Sequence, residues 1–397
     1  MQFVSCCVKF ATNRQLPKLS LPATIMLGKF LNFHHSFEYA CGAYEALSAI
    51  ILGGSLEERS HAVSYLMNHL IEKGHEYSSS QWETILVLLT KILHRNIPTD
   101  NADDEIEWLS TTFVEFLRLF VEMFAKFYTM LYSKLGEIFN SLTECVLLEN
   151  ESIGIIGLEC MRQIILANSD HFKEGEWRVI CESVEIMLHD SRPNEILNFD
   201  FSELKESTDK KAVKAAKCKI GKIAQKCSLQ FIIIQFTSDI FSEALLEQFS
   251  TPERISNSLR ESYSLAKSFN LNSEHRLNFI QTGIMKHIPN LMKQEVSAGV
   301  AYLKIAEFIF SKNGGGDYVE ACDEIISAFC DSESLKDLHR TSWMPCIPDI
   351  VYSLLKLTDS QIEPIRESVY SSMVNVIGPN LSDEMYKCVK TFFMRMK

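Results

Sequence analysis

The sequence predicts an all-α fold, a stack of helix pairs, and three observations carry that expectation. Apolar residues recur at helical spacing almost everywhere, as at Ala62, Leu66 and Leu70 with Val63 beside them. Turn formers are scarce, with 16 glycines and 10 prolines in 397 residues, which disfavours a turn-rich all-β chain. No convincing apolar–polar alternation of a strand is found.

Helix starts are legible along the chain. Glu57-Glu58 and Asp103-Asp104 sit where acids complement a helix N-terminus. The second pair opens a long helix expected over about residues 105–131. Ser250-Thr-Pro-Glu253 has capping-box spacing, with Pro252 suited to a first turn. Ser382-Asp-Glu384 opens the last helix.

The chain also resembles itself at a shift of 95 residues. Ala62, Leu66, Leu70, Tyr77, Trp82, Ile85 and Leu93 fall on Gly157, Met161, Ile165, Phe172, Trp177, Ile180 and Leu188. Leu47 and Ile51 fall on Leu142 and Val146. Apolar positions meet their like and exposed ones do not, so a module of several helices is read as duplicated over residues 43–93 and 138–188. Helix pairs that bury their faces against neighbours mark an α-solenoid of HEAT-like or armadillo-like repeats.

Residues 191–210, with Pro193 and a polar stretch, hold little to bury and read as a linker. Residues 205–226 then carry eight lysines against Glu206 and Asp209, a local charge of +6 in a chain of net charge −12. Wound as a helix, Lys210, Lys211, Lys214, Lys217, Lys219 and Lys222 cover one broad arc. Val213, Ala216, Ile220, Ile223 and Cys227 take the opposite side. The expected organisation is therefore helical repeats over 1–190, a linker and basic amphipathic segment over 191–226, and a second helical block over 227–397. Gly314-Gly-Gly316 is a loop inside that block.

Composition narrows the function. A net charge of −12 argues against nucleic acid as the main partner, because phosphate binding needs a basic face. Hydrophobic residues at 46% are enough for a packed core. The 12 cysteines form no CxxC pair and several sit on apolar helical faces, as buried thiols do in a reducing compartment. Residues 1–10 lack the basic start and long apolar run of a secretory signal. The most apolar stretch, residues 113–135, is crossed by Glu115, Arg118, Glu122 and Lys126 at helical spacing, so it reads as a wet helix stripe and not a bilayer span.

Catalytic signatures are missing from the sequence. There is no GxxxxGK[ST], HExxH or GxSxG. His34-His35 are adjacent and diverge on a helix. Cys322, Cys330, His339 and Cys346 are spaced too widely for the paired ligands of a zinc site. No catalytic residue, cofactor or metal is expected. The basic helix is the feature with charge chemistry of its own. It reads either as a solvated start to the next helix or as an interface for an anionic membrane or acidic partner. Near such a membrane each lysine is worth about 1 kcal/mol.

Several phrases together resemble the large Arf guanine-nucleotide exchange factors of the trans-Golgi, the BIG or Sec-seven class, in their C-terminal helical-repeat region. They are Cys7-Val-Lys-Phe-Ala-Thr-Asn13 with Leu19-Ser-Leu-Pro-Ala23, Leu56-Glu-Glu-Arg-Ser60 with residues 66–74 and Trp82, and Glu107-Trp-Leu-Ser-Thr-Thr112. Further on come Glu149-Asn-Glu151 through Asn168 with Phe172 and Trp177, Lys226-Cys227-Ser-Leu-Gln230, residues 259–270, and Ile288-Pro-Asn-Leu-Met-Lys-Gln-Glu295. They run in the family's order over most of residues 1–310, while 311–397 match poorly. Residues 37–42 are shorter than the family's connection, and its catalytic glutamate-bearing loop has no counterpart. The resemblance implies a regulatory and recruitment scaffold without exchange activity of its own. It would be cytoplasmic and peripheral on the trans-Golgi network, with GTP-loaded Arf- or Rab-class GTPases and anionic Golgi membrane as partners and a homodimer possible. It leaves open whether the chain is part of a longer factor or free-standing. A general HEAT-type adaptor for transport or complex assembly is the alternative.

Overall fold

The computed structural model describes residues 2–11, 17–33, 36–94, 107–148, 150–201, 204, 210–241, 246–249, 252–281, 291–313, 318–331, 341–363, 366–367, 370 and 383–396. Every regular element among them is helical, so the all-α class read from the sequence is the fold observed. The chain divides into two compact units, Met1–Val179 and Ile180–Lys397. The expected boundary was residue 190.

The first unit stacks helices in pairs. α1 (Gln2–Ala11) packs on α2 (Pro17–Phe33), α2 on α4 (Leu56–Lys73), and α3 (Phe37–Gly53) on both α4 and α5 (Ser79–Leu93). α6 (Val114–Lys126) lies against α4 on one side and α8 (Glu151–Asn168) on the other, and α8 also packs on α7 (Leu135–Leu147). The α6 core is an aromatic ladder. Phe116, Phe120, Phe124 and Tyr128 follow one another at 5.7, 6.4 and 6.0 Å between ring centroids.

One order of parts occurs twice, 95 residues apart. α4 leads through a 3₁₀ turn (Gly74–Glu76) and Tyr77 into α5; α8 leads through a 3₁₀ turn (Ser169–His171) and Phe172 into α9 (Glu174–Asp190). Each aromatic meets the following tryptophan edge-on, Tyr77 on Trp82 at 6.0 Å and Phe172 on Trp177 at 5.1 Å. The two second helices start alike. The Ser78 N–H donates to Gln81 Oε1 at 2.9 Å, and the Lys173 N–H to Glu176 Oε2 at 3.0 Å. Each satisfies a donor near a helix start, and at Ser78 the contact is reciprocal, the Gln81 N–H donating to Ser78 Oγ at 3.4 Å.

The long helix expected over residues 105–131 is shorter and interrupted. Residues 101–106, with Asp103-Asp104, lie outside the described residues. The helical run opens in a wide π-type turn over Trp108–Phe113, continues as α6 and stops at Phe127, whose φ of −108° and ψ of 23° leave the helical region. The cause is aromatic packing. Phe127 sits 5.2 Å from Trp82, and a Cβ on Gly74 would come within 2.6 Å of both rings. A single turn, Tyr128–Leu131, follows the break.

In the second unit α10 (Lys210–Ile240) packs on α13 (Leu291–Asn313). α13 also packs on α11 (Pro252–Leu271) and on α14 (Tyr318–Asp331). α12 (Ser273–Gln281) lies against α11, and α15 (Ile347–Lys356) against α16 (Asp383–Met396). α10 runs unbroken through residue 226. Gln230 on α10 joins two neighbours. The Ser191 hydroxyl donates to its Oε1 at 2.7 Å, and its Nε2 donates to Ser262 Oγ at 2.8 Å. Glu295 on α13 is fully buried and accepts from Asn270 Nδ2 at 2.6 Å and Trp343 Nε1 at 3.2 Å. Both hydrogen bonds satisfy a carboxyl that burial would otherwise penalise heavily.

The stretch after residue 190 differs from its reading as a polar linker with little to bury. Ile196 is fully buried and Phe201 nearly so, with Leu197, Phe199 and Leu204 packed beside them. Four apolar side chains within residues 196–201 suffice to dock it onto Ile223, Ala224, Cys227, Phe269 and Phe279. Gly314-Gly-Gly316, His34-His35, Ser250-Thr251 and Ser382 lie outside the described residues.

Candidate functional site

The first half of α10 has two chemically opposite sides. Ala216, Ile220, Ile223 and Cys227 are buried, and Val213 is half-buried. Lys211, Lys214, Lys217, Lys219 and Lys222 are exposed on the other arc. Lys210 begins the helix, and its side chain lies outside the described residues. The inward residues spaced by three or four hold the helix to its core, and this turns the lysines outward together.

Lys226 donates to Glu195 Oε1 at 2.7 Å. Burial alone would raise the Glu195 carboxyl. The hydrogen bond and charge of Lys226, with a backbone N–H, hold it below the usual carboxylate range instead. Beside that pair Asn194, Glu195, Asn198, Phe199, Asp200 and Lys219 line an open groove. Residue spacing did not mark this groove, because the segment that forms one wall read as a linker. Its clustered Ile196, Leu197, Phe199 and Phe201 were the available signal.

One enzyme-like grouping among the described residues fails on geometry. Ser141 Oγ lies 3.2 Å from His94 Nε2, and His94 Nδ1 lies 4.0 Å from Glu144, in the order of a nucleophile, base and acid. Ser141 is 3% exposed, however, and its hydroxyl donates to the Glu137 carbonyl at 2.9 Å. A nucleophile needs access to substrate and a proton shared with its base. Among the described residues no three His, Cys, Asp or Glu side chains gather as a metal site. Of the widely spaced set, Cys322 is buried and Cys346 half-buried, while the Cys330 side chain and His339 lie outside the described residues. Burial pushes the thiols of Cys145, Cys160, Cys181 and Cys227 up to about 12, far from the reactive thiolate range. No described helix is long and apolar enough to cross a membrane.

Comparison with known proteins agrees with the ordered phrases. A family profile described as the BIG2 C-terminal domain matches residues 228–394. The ADP-ribosylation factor guanine nucleotide-exchange factor sec71 of Schizosaccharomyces pombe is 26% identical over 382 residues, covering 83% of this chain and 21% of that protein. The exchange factor SEC7 of Saccharomyces cerevisiae is 23% identical over 358 residues, covering 64% of this chain and 18% of its own length. Brefeldin A-inhibited guanine nucleotide-exchange protein 1 of Homo sapiens is 21% identical over 447 residues, covering 88% of this chain and 24% of that protein. The chain thus spans about a fifth of the length of the curated relatives it matches. Among solved structures, a crystal structure of an engineered protein aligns with a TM-score of 0.25 at 11% identity, too low to carry an argument.

Proposed function

We propose that this chain, which over most of its length is similar to the C-terminal region of the large Arf guanine-nucleotide exchange factors, is a regulatory and recruitment scaffold of such a factor in Golgi vesicle-mediated transport. Its partners are GTP-loaded small GTPases of the Arf or Rab class and an anionic membrane surface. The observation that carries the membrane part is the arc of Lys211, Lys214, Lys217, Lys219 and Lys222 on α10, held outward by a buried opposite side. Fixed on a docked helix, these charges act together and lose little side-chain freedom beyond the lysines themselves. The GTPase part rests on the relatives, which are named as exchange factors for an ADP-ribosylation factor. On this reading exchange activity belongs to portions of those relatives that this chain does not span.

Two measurements test the reading. Replacing Lys211, Lys214, Lys217 and Lys219 by Glu lowers partition onto phosphatidylserine vesicles by about a hundredfold or more, since each lysine contributes about 1 kcal/mol. Helix content stays unchanged. Immobilised Arf- and Rab-class proteins retain the chain in their GTP-loaded and not their GDP-loaded forms. Vesicle binding indifferent to the lysines would leave α10 a plain structural helix, and equal retention by both nucleotide states would remove the recruitment role.

A further inference from the structure

The N-terminal helical hairpin buries one apolar side and carries a second apolar stripe outward. Inward, Val4, Cys7 and Ala11 of α1 and Ala23, Leu27 and Leu31 of α2 are buried. Outward, Phe3, Cys6 and Phe10 are exposed on α1 at spacings of three and four. On α2 Leu19, Pro22, Met26, Lys29 and Phe33 are exposed, again three and four apart, with Lys18 and Asn32 exposed beside them. Phe3 stacks on Phe30 at 5.4 Å, which joins the two stripes into one face. The exposure is large, 46% at Leu19, 48% at Met26 and 78% at Phe33. A contiguous exposed apolar patch of this kind marks an interaction surface.

Charge identifies what covers it. Residues 1–33 contain Lys9, Arg14, Lys18 and Lys29 and no acid, in a chain of net charge −12. Lys9, Lys18 and Lys29 are exposed beside the apolar stripe. An apolar face with aromatics, rimmed by cations, fits an anionic lipid interface, where the side chains enter the acyl boundary and the lysines meet headgroups. The helices are 10 and 17 residues long, and no described helix is apolar enough to span. We propose that the α1–α2 hairpin lies in the plane of an anionic membrane and inserts Phe3, Phe10, Leu19, Met26 and Phe33 into it. This contact is separate from the lysine arc of α10, which is purely electrostatic, so the two readings stand or fall independently.

The test uses the full chain in flotation with neutral phosphatidylcholine vesicles and with vesicles holding about one third phosphatidylserine. The triple variant Leu19→Glu, Met26→Glu, Phe33→Glu should lose about tenfold of its binding to the anionic vesicles. Binding by the unmodified chain should survive salt that screens charge alone, because the apolar contact is not screened. A second variant, Phe33→Trp, serves as reporter if the triple variant folds poorly. The four native tryptophans are all buried, so a blue shift on adding vesicles reports the new side chain entering lipid. Reversing the α10 lysines should leave that blue shift in place. Full flotation of a folded triple variant, or no spectral shift at Phe33→Trp, would overturn the proposal. So would a triple variant that turns a dimer into a monomer with flotation unchanged, since the face would then be covered by a second copy.

Discussion

The Tyr44 hydroxyl is the centre of a buried chain of hydrogen bonds, lying 2.7 Å from His69 Nδ1 and 2.5 Å from the Tyr77 hydroxyl. The His69 ring also hydrogen-bonds the Leu31 backbone. Burial lowers the His69 pKa, and the Leu31 backbone hydrogen bond with Glu72 and Glu76 raises it too little to offset that, with Lys73 acting in the same direction as burial. The folded-state value therefore lies below the unfolded one, near 6.5. The sign follows. Stability is full above that value and falls as pH drops through it toward the folded pKa. Thermal midpoints at neutral and mildly acid pH should diverge for the native chain and diverge less for His69→Gln. Trp177 offers a simpler test. It is 1% exposed and packed edge-on against Phe172, so Trp177→Ala should cost about 3–5 kcal/mol in denaturant unfolding. A loss below about 1 kcal/mol would mean the ring is not a core element.

At the scale of elements, close approach of helices depends on a few small residues. A Cβ added to Gly299 of α13 would stand 2.5 Å from the Trp343 ring and 3.2 Å from Tyr263. Trp343 cannot retreat freely, because its Nε1 donates to buried Glu295 and its ring meets Tyr263 edge-on at 6.2 Å. Gly299→Ala should therefore destabilise by about 1–3 kcal/mol, the cost of overpacking, although alanine is the better helix former. Circular dichroism should show helix content preserved and the unfolding midpoint lowered. α10 shows the complementary case. Its register is set by small and apolar residues on one side, so its lysine arc is a consequence of packing on the other.

At the scale of the whole molecule, the chain spans about a fifth of its curated relatives. Among the described residues, Ser141, the serine set beside His94, is buried and donates to the Glu137 carbonyl. The purified chain should leave nucleotide release from an Arf protein at its spontaneous rate, measured with a fluorescent nucleotide. Acceleration of release would assign catalysis to a surface that is not recognisable in these residues. An immunoblot of cell extract with an antibody to residues 335–397 would separate a chain near 45 kDa from a much larger exchange factor containing it.

The helical class and the two-sided character of α10 were legible in the sequence by itself. Both follow from periodicity, which is a property of neighbours three and four apart. The ordered phrases likewise showed the likeness to the exchange-factor C-terminal region. The end of α6 at Phe127 was not legible, since it is set by Trp82, a residue distant in sequence. Nor was the docking of Ile196 and Phe201, whose short apolar run lacks a helical period until α10 and α12 supply the surface it covers. The Tyr44–His69–Tyr77 chain and the Glu295 site join residues 25 to 48 positions apart. Local patterning decides which side of a helix is apolar. Only the tertiary structure decides which distant side chains meet there, because burial and hydrogen-bond satisfaction belong to contacts that no single segment contains.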